Sequence, residues 1–169
     1  ISVDLSGKTE GDLVGYKEKQ HTSLIDVDKI GQCQINDYWD PVYKSSSESG
    51  GLILNPDEFY ILMSKEYVTV PLDYAAEMRA YDTKVGEFRV HYAGFFDPGF
   101  GHAESGGQGT RAVLEVRSHD VPFLIEDGQT VCRLVYEQMT QIPEKIYGAS
   151  GIGSNYQGQA LKLSKHFKV

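Results

Sequence analysis

The chain has 169 residues, of which 40% are apolar and 24% are charged, and this composition is typical of one globular domain with a substantial core. Its formal net charge of −8, from 16 basic and 24 acidic residues, argues against binding to bulk nucleic acid. A small anionic ligand can still occupy a local basic pocket. No apolar run approaches the roughly 18 residues of a membrane span, so no association with a membrane is expected.

Cysteine and histidine usage indicates the cellular setting and the metal chemistry. Cys33 and Cys132 are too few for a disulfide scaffold and no secretory signal is present, so a reduced, cytoplasmic setting is expected. The five histidines stand far apart and no C-x-x-C, H-x-E or H-E-x-x-H pattern occurs, so no zinc site is expected. The chain opens at Ile1 without a methionine, as a trimmed protein or a piece of a longer chain would.

The predicted elements are short strands separated by glycine and proline turns. Runs rich in valine, isoleucine, tyrosine and phenylalanine alternate apolar with polar side chains or form short buried stretches. A turn of helix is expected at 71–78, and no segment shows sustained helical periodicity. In chain order, the predicted strands cover residues 59–63, 67–70, 87–92, 112–117, 122–125 and 131–137.

Turn-rich stretches define the predicted organisation. Serine and glycine dominate residues 45–51, five glycines lie within 99–109, and the chain from 148 onward is rich in glycine and serine before it becomes basic. We expect an N-terminal segment, 1–51, that packs on a β domain, 52–147, followed by a mobile tail, 148–169. Many short strands with turns between them predict an all-β fold: a β-sandwich, a barrel or a jelly roll.

Three motifs together carry a family resemblance. Residues 94–101 read Gly-Phe-Phe-Asp-Pro-Gly-Phe-Gly, which alone indicates only a β-turn. The strand motif Val-Leu-Glu-Val at 113–116 follows, and Asn-Tyr-Gln-Gly-Gln stands at 155–159. In this order the motifs resemble the dCTP deaminase/dUTPase superfamily, above all the C-terminal half of the long, duplicated bacterial dCTP deaminases. The resemblance covers roughly Leu52 to Val169 and implies a distorted, dUTPase-like jelly roll with few short helical turns.

The resemblance implies roles for individual residues. Glu115 matches the catalytic glutamate, and Asp97 matches the aspartate that faces the deoxyribose. The backbone carbonyls that hold the attacking water match Ala93 and Gly94. The tail that closes over the triphosphate falls on 156–159, and no residue is assigned to a metal. The candidate phosphate contacts are Arg79, Lys84, Tyr156, Gln159 and, from the basic tail, Lys162.

These residue types suit hydrolytic deamination of a cytosine ring. One carboxylate, Glu115, can take a proton from water as a base and return it as an acid. Backbone acceptors can hold the water without zinc, and magnesium is expected only with the triphosphate. Taken alone, Glu115 is more typical of an outward-facing glutamate on an antiparallel strand; the surrounding motifs favour the catalytic role.

The chain departs from the family's Arg-Ser-Ser-x-x-Arg phosphate motif. Arg79 is kept, but Ala80 replaces a serine, Lys84 replaces the distal arginine and Asp82 adds a negative charge. Arg79 and Lys84 are therefore either phosphate ligands or solvated surface cations. In the family, sites form between subunits, so a duplicated protein can keep this motif in one half and the glutamate in the other. A homotrimer, or a pseudo-trimer with a second homologous half, is expected.

The expected activity is hydrolysis of dCTP to dUTP and ammonia in pyrimidine deoxynucleotide metabolism, with selectivity for deoxynucleotides. Two alternatives stay open. One is a dUTPase or a bifunctional enzyme that ends at dUMP, and the other is a non-catalytic nucleotide-binding or structural half of a duplicated enzyme.

Overall fold

A computed structural model describes residues 1–8, 11–45, 50–80, 88–90, 94–103, 108–118, 120–149, 156–158 and 161–168. Within these ranges the chain forms ten strands and one short helix, and no helix there is long and apolar enough to cross a bilayer. The elements are β1 (Leu13–Glu18), α1 (Ile35–Tyr38), β2 (Trp39–Tyr43), β3 (Leu52–Leu54), β4 (Phe59–Val68), β5 (Tyr74–Ala80), β6 (Phe88–Val90), β7 (Phe95–Phe96), β8 (Thr110–Ser118), β9 (Phe123–Ile125) and β10 (Cys132–Gln138).

The strands form three sheets in which every pairing is antiparallel. A five-stranded sheet has the order β2-β1-β4-β8-β6, a three-stranded sheet has the order β10-β5-β7, and β3 pairs with β9. This arrangement confirms the all-β prediction.

The main core lies between the two larger sheets because their strands alternate buried and outward side chains. On β8, Leu114 and Val116 are fully buried, and on β5, Ala76 and Met78 are buried in the same cluster. Residues that alternate with these four point away from the core. The two outer faces of the sandwich are therefore available for function.

A smaller apolar cluster covers part of the outer face of the five-stranded sheet. Leu163 and Phe167 are buried there against Ile61 of β4, with Trp39 and Phe59 packed beside them. The residues 161–168, which lie within the predicted tail, are thereby attached to the sheet. Backbone hydrogen bonds from this segment to the loop before α1 add to the attachment.

The structure differs from two predicted elements. The helical turn expected at 71–78 is wrong, because Tyr74–Ala80 forms β5 in the three-stranded sheet. The strands predicted at 59–63 and 67–70 are one strand, β4, whose register with β8 shifts between Met63 and Tyr67. The first fifty residues contribute β1 and β2 to the five-stranded sheet itself.

Candidate active site

Glu115 stands in the middle of β8, which lies between β4 and β6 in the five-stranded sheet. It lies directly opposite Ile61 of β4, while its chain neighbours Leu114 and Val116 are fully buried in the main core. Its carboxylate is exposed on the outer face, and within the described residues it has no hydrogen bond or ion pair. The backbone at Glu115 is thus held rigidly in the sheet, while the side-chain carboxylate is open to a ligand.

Two side chains flank Glu115 along the same face of β8. Val113 packs against the smaller apolar cluster, and the guanidinium of Arg117 lies 5.5 Å from the ring centroid of Phe59. A nitrogen of Arg117 is 3.8 Å from Glu18 Oε1, so this cation already has an acidic neighbour on β1. The immediate surroundings of Glu115 therefore combine an apolar side with a positively charged side.

Asp97 is exposed at the start of a tight turn that follows β7. The turn is closed by the Phe100 N–H, which donates to the Asp97 carbonyl at 3.1 Å. Phe100 is buried edge-on against Phe96, with ring centroids 4.9 Å apart. Gly101 has a φ of +66°, and a Cβ there would lie 2.2 Å from the Val68 carbonyl oxygen. The Asp97 carboxylate is thus carried by a turn that is packed too closely to shift.

Gly94, predicted to help hold the attacking water, has one of its acceptor sites occupied. Its carbonyl accepts the Met78 N–H at 2.9 Å, which ties the start of β7 to β5. A carbonyl oxygen has two lone pairs, so one acceptor site remains at Gly94. Ala93 lies outside the described residues.

Arg79 lies on the outer face of the three-stranded sheet between two carboxylates. Its guanidinium is 2.9 Å from Glu77 on the same strand and 3.0 Å from Glu137 on β10. All three side chains are substantially exposed, and exposed ion pairs are weak, about 0–1 kcal/mol each. A triphosphate can therefore compete for Arg79. Lys84 lies outside the described residues.

Residues 156–158 of the tail lie against the Asp97 turn and the start of β8. The Gly101 N–H donates to Gln157 Oε1 at 3.1 Å, and the Gly158 N–H donates to Thr110 Oγ1 at 3.0 Å. Tyr156 is half-buried against the main core. Lys162 is half-buried between Leu161 and Leu163, which pack on the smaller cluster. Gln159 lies outside the described residues.

Glu115 and Arg79 point away from one shared core in opposite directions. Glu115 alternates with Leu114 and Val116 on one sheet, and Arg79 alternates with residues such as Met78 on the other. Packed sheets are about 10 Å apart before outward side chains are added. One chain therefore does not place both groups around a single small ligand.

Comparison with known proteins identifies the family. A family model described as the 2'-deoxycytidine 5'-triphosphate deaminase (DCD), C-terminal domain, matches residues 1–167. The chain belongs to this family. Curated relatives of this chain include a protein from Methanothermobacter thermautotrophicus, 32% identical over 72% of the chain, and one from Methanosphaera stadtmanae, 30% identical over 85% of it. Both are named "dCTP deaminase, dUMP-forming".

A solved structure of a dCTP deaminase from Agrobacterium tumefaciens is 59% identical to this domain, with a TM-score of 0.76 over 85% of the chain. This similarity confirms the dUTPase-like β fold. The alignment spans 59% of the Methanothermobacter protein, 71% of the Methanosphaera protein and 42% of the Agrobacterium chain. The domain therefore covers only part of each relative's length.

A buried ion pair that fixes β8 was not predicted. Arg111 donates to Asp4 and, at 3.1 Å, to the Ser64 carbonyl, at the point where β4 loses its register with β8. Burial alone would raise the pKa of Asp4, but hydrogen bonds from Ser6 and Arg111 hold that pKa below its ordinary value of 3.8. No local sequence signal links two residues 107 positions apart.

Proposed function

We propose that this domain hydrolyses dCTP to dUTP and ammonia, with Glu115 as the general base and then the general acid. The observation that carries the proposal is the open carboxylate of Glu115 between the fully buried residues Leu114 and Val116. An exposed glutamate without an ion pair is by itself equally typical of a solvated strand face. The Val-Leu-Glu-Val motif at 113–116 supports the catalytic role, and the open carboxylate leaves Glu115 free to contact a ligand.

The reaction needs two proton transfers, and one carboxylate can perform both. Glu115 takes a proton from water as the water oxygen bonds to C4, and it passes this proton to N3 of the ring. It then takes the proton of the new hydroxyl group and passes it to the amino group. The bond between C4 and the amino nitrogen breaks, ammonia leaves and the carboxylate is ionised again. Carbonyls at Ala93 and Gly94 would position the water.

Asp97 is proposed to recognise the sugar. Its turn is closed by a backbone hydrogen bond and sits on buried Phe100, so the backbone that carries the carboxylate is held in place. A fixed group close to C2' and C3' of the sugar would leave little room for a 2'-hydroxyl. The domain should accordingly discriminate strongly against CTP.

The phosphates are proposed to bind Arg79, Lys84, Tyr156, Gln159 and Lys162. Because Arg79 and Glu115 point in opposite directions in one chain, these residues would come from different copies or from a second homologous half. A homotrimer or pseudo-trimer would bring them together. The substrate would be the magnesium complex of dCTP, with the ion held mainly by the phosphates and water. The unpaired thiols of Cys33 and Cys132 suit a cytoplasmic location.

The experiment is an assay of ammonia release from dCTP, with the nucleotide products separated by chromatography. The proposal is supported if dUTP forms and is not hydrolysed further. Formation of dUMP and diphosphate would instead support the bifunctional alternative; dUMP is the product in the names of two curated relatives. Binding of dCTP without turnover would instead support a non-catalytic half. A zinc-selective chelator should leave the rate unchanged.

A further inference from the structure

A row of five residues, one from each strand, crosses the outer face of the five-stranded sheet beside Glu115. From β2 to β6 its members are Trp39, Glu18, Phe59, Arg117 and Arg89. Arg117 follows Glu115 by two positions on β8, so the row runs about 7 Å from Glu115 along the strand and on the same face.

The guanidinium of Arg117 has donors without acceptors in the described part of the chain. Its Nε is buried and has no hydrogen-bond partner. Its ion-pair partner there is Glu18, whose Oε1 lies 3.8 Å from a terminal nitrogen, beyond hydrogen-bond distance, and already accepts the Phe59 N–H at 3.0 Å. Arg79 and Arg111, in contrast, donate directly to carboxylates. The side chain of Arg117 is 43% exposed, so it can bind an acceptor from solution.

A second arginine, Arg89, occupies the position directly opposite Arg117. Opposite residues of antiparallel strands share one face, with Cβ atoms about 5 Å apart, and like charges at such positions repel each other. The strand β6 is the edge strand of the sheet, so the pair stands at the margin of the outer face. An anion bound by both arginines would replace this repulsion with attraction.

Phosphate is the anion chemistry that suits this pair of positions. A guanidinium group binds phosphate oxygens through two parallel hydrogen bonds, and phosphate or diphosphate carries enough negative charge for two arginines, whereas a carboxylate carries only one. The guanidinium carbon of Arg117 lies 5.5 Å from the ring centroid of Phe59, and this contact helps to hold the guanidinium in place. The chain has a net charge of −8, so anion binding depends on local cations of this kind.

We propose that Arg117 and Arg89 form a subsite for a phosphate group on the face that carries Glu115. Arg79 points away from the core in the opposite direction, so this subsite is separate from the phosphate contacts proposed there. The phosphate group can belong to a nucleotide or to free diphosphate, because the same hydrogen bonds serve both. A bound anion competes with Glu18 for Arg117, so Glu18 limits the affinity of the subsite.

The test is a titration of the chain with inorganic diphosphate, measured by isothermal titration calorimetry. Wild type should bind, and Arg117→Gln and Arg89→Gln should each weaken binding by about tenfold or more, because charge-assisted hydrogen bonds are lost. The matched control is Lys65→Gln, which also removes one positive charge from a side chain 43% exposed and should leave the affinity unchanged. Absence of diphosphate binding in wild type, or equal affinity in wild type and Arg117→Gln, would overturn the proposal.

The fluorescence of Trp39 locates the bound anion. Its ring lies 6.1 Å from that of Phe59, on which Arg117 rests, so diphosphate should change the emission in wild type and not in Arg117→Gln. Diphosphate bound at Arg79, on the other sheet, would leave the emission unchanged, and calorimetric binding without any change in emission would count against the subsite.

A gain of affinity gives a test that does not depend on a damaged variant. Glu18→Gln keeps an oxygen that can accept the Phe59 N–H but removes the charge that competes for Arg117, so diphosphate should bind about two- to fivefold more tightly. Unchanged or weaker binding would contradict the proposed competition. Glu115→Gln should retain diphosphate binding, so failure of the proposed deamination and failure of this subsite are distinguishable.

Competition identifies the source of the phosphate group. Displacement of diphosphate by dCTP, but not by deoxycytidine, would assign the subsite to the phosphates of a nucleotide. Diphosphate binding that dCTP does not displace would assign the subsite to the free anion.

Discussion

Glu115 lies directly across the ladder from Ile61, which is buried beneath Leu163 and Phe167. The proposed catalytic carboxylate therefore stands at the margin of an apolar cluster formed by the C-terminal segment. Its strand is fixed from the other side by fully buried Leu114 and Val116. Substitution of the exposed carboxyl group should consequently change chemistry without changing the fold.

Glu115→Gln should reduce kcat for dCTP by about 10²–10⁴-fold, because a positioned general base is removed. KM should change little if substrate release is fast, since the sugar and phosphate contacts lie elsewhere. Single-turnover deamination and nucleotide binding should be measured in parallel. Glu126→Gln, which changes an exposed glutamate after β9, is the matched control. A rate for Glu115→Gln within about threefold of wild type would remove the main support for the mechanism.

Arg79→Gln should raise KM for dCTP while leaving thermal stability almost unchanged. The guanidinium is 53% exposed and shared by Glu77 and Glu137, so breaking each of these two ion pairs costs at most about 1 kcal/mol. Lys65→Gln, which breaks a similarly exposed pair with Asp127, is the control. Steady-state kinetics and thermal unfolding of both variants give the comparison. Equal KM values in the two variants would indicate that Arg79 is only a surface cation.

Asp4→Ala should destabilise the domain by about 3–5 kcal/mol, because Arg111 is left as a buried charge without its partner. Asp40→Ala, which removes half of an exposed pair with Lys19, should cost less than about 1 kcal/mol. Urea unfolding at neutral pH measures both. Similar losses in the two variants would show that the Asp4–Arg111 pair contributes no more than a surface pair.

The same pair predicts acid sensitivity. The pKa of Asp4 is lower in the folded chain than its ordinary value of 3.8, so the folded state binds this proton less readily than the unfolded state. The stabilisation is therefore complete above 3.8 and is lost as the pH falls toward the lower, folded pKa. Unfolding free energies between neutral pH and about pH 3 should fall more steeply in wild type than in Asp4→Asn. If unfolding free energy fell equally steeply with pH in wild type and in Asp4→Asn, the lowered pKa of Asp4 would be contradicted.

Gly101→Ala should be much more destabilising than Gly11→Ala, although both glycines have a positive φ. The values are +66° at Gly101 and +57° at Gly11, so the backbone cost of about 1–2 kcal/mol is common to both. Only at Gly101 would the new Cβ meet backbone, 2.2 Å from the Val68 carbonyl oxygen, whereas Gly11 has open space. Deamination should also fall in Gly101→Ala, because the turn that carries Asp97 must shift. Equal unfolding free energies of Gly101→Ala and Gly11→Ala would show that the Asp97 turn accommodates the new Cβ at little cost.

Alternation of side chains was sufficient to predict β8, because buried residues alternate there with more exposed ones from Ala112 to Ser118. The same alternation predicted β10, although only Cys132 is fully buried on that strand. The helical turn expected at 71–78 was wrong because Tyr74, Ala76 and Met78 repeat with the period of a strand and pack in or against the main core. The strand β2 was missed because it contains Pro41. A proline is tolerated there since β2 is the edge strand of its sheet.

The candidate site could be predicted in its residues but not in its arrangement. The motifs at 94–101 and 113–116 identify Asp97 and Glu115 from short stretches of sequence. The opposite orientation of Arg79 and Glu115 depends on which sheet each strand joins, and this is decided by contacts between residues far apart in the chain. The ion pair that neutralises Arg79 likewise involves Glu137, which is 58 positions away on the paired strand β10.

The packing of Trp39 provides a fluorescence probe of the C-terminal segment, residues 161–168, in solution. Trp39 is the single tryptophan of the chain, and its ring lies 6.2 Å from that of Phe167 and 6.1 Å from that of Phe59. Its intrinsic fluorescence therefore reports on one place, the contact between residues 161–168 and the sheet that carries Glu115. A change in the emission maximum during nucleotide titration would record movement of this segment without any added label.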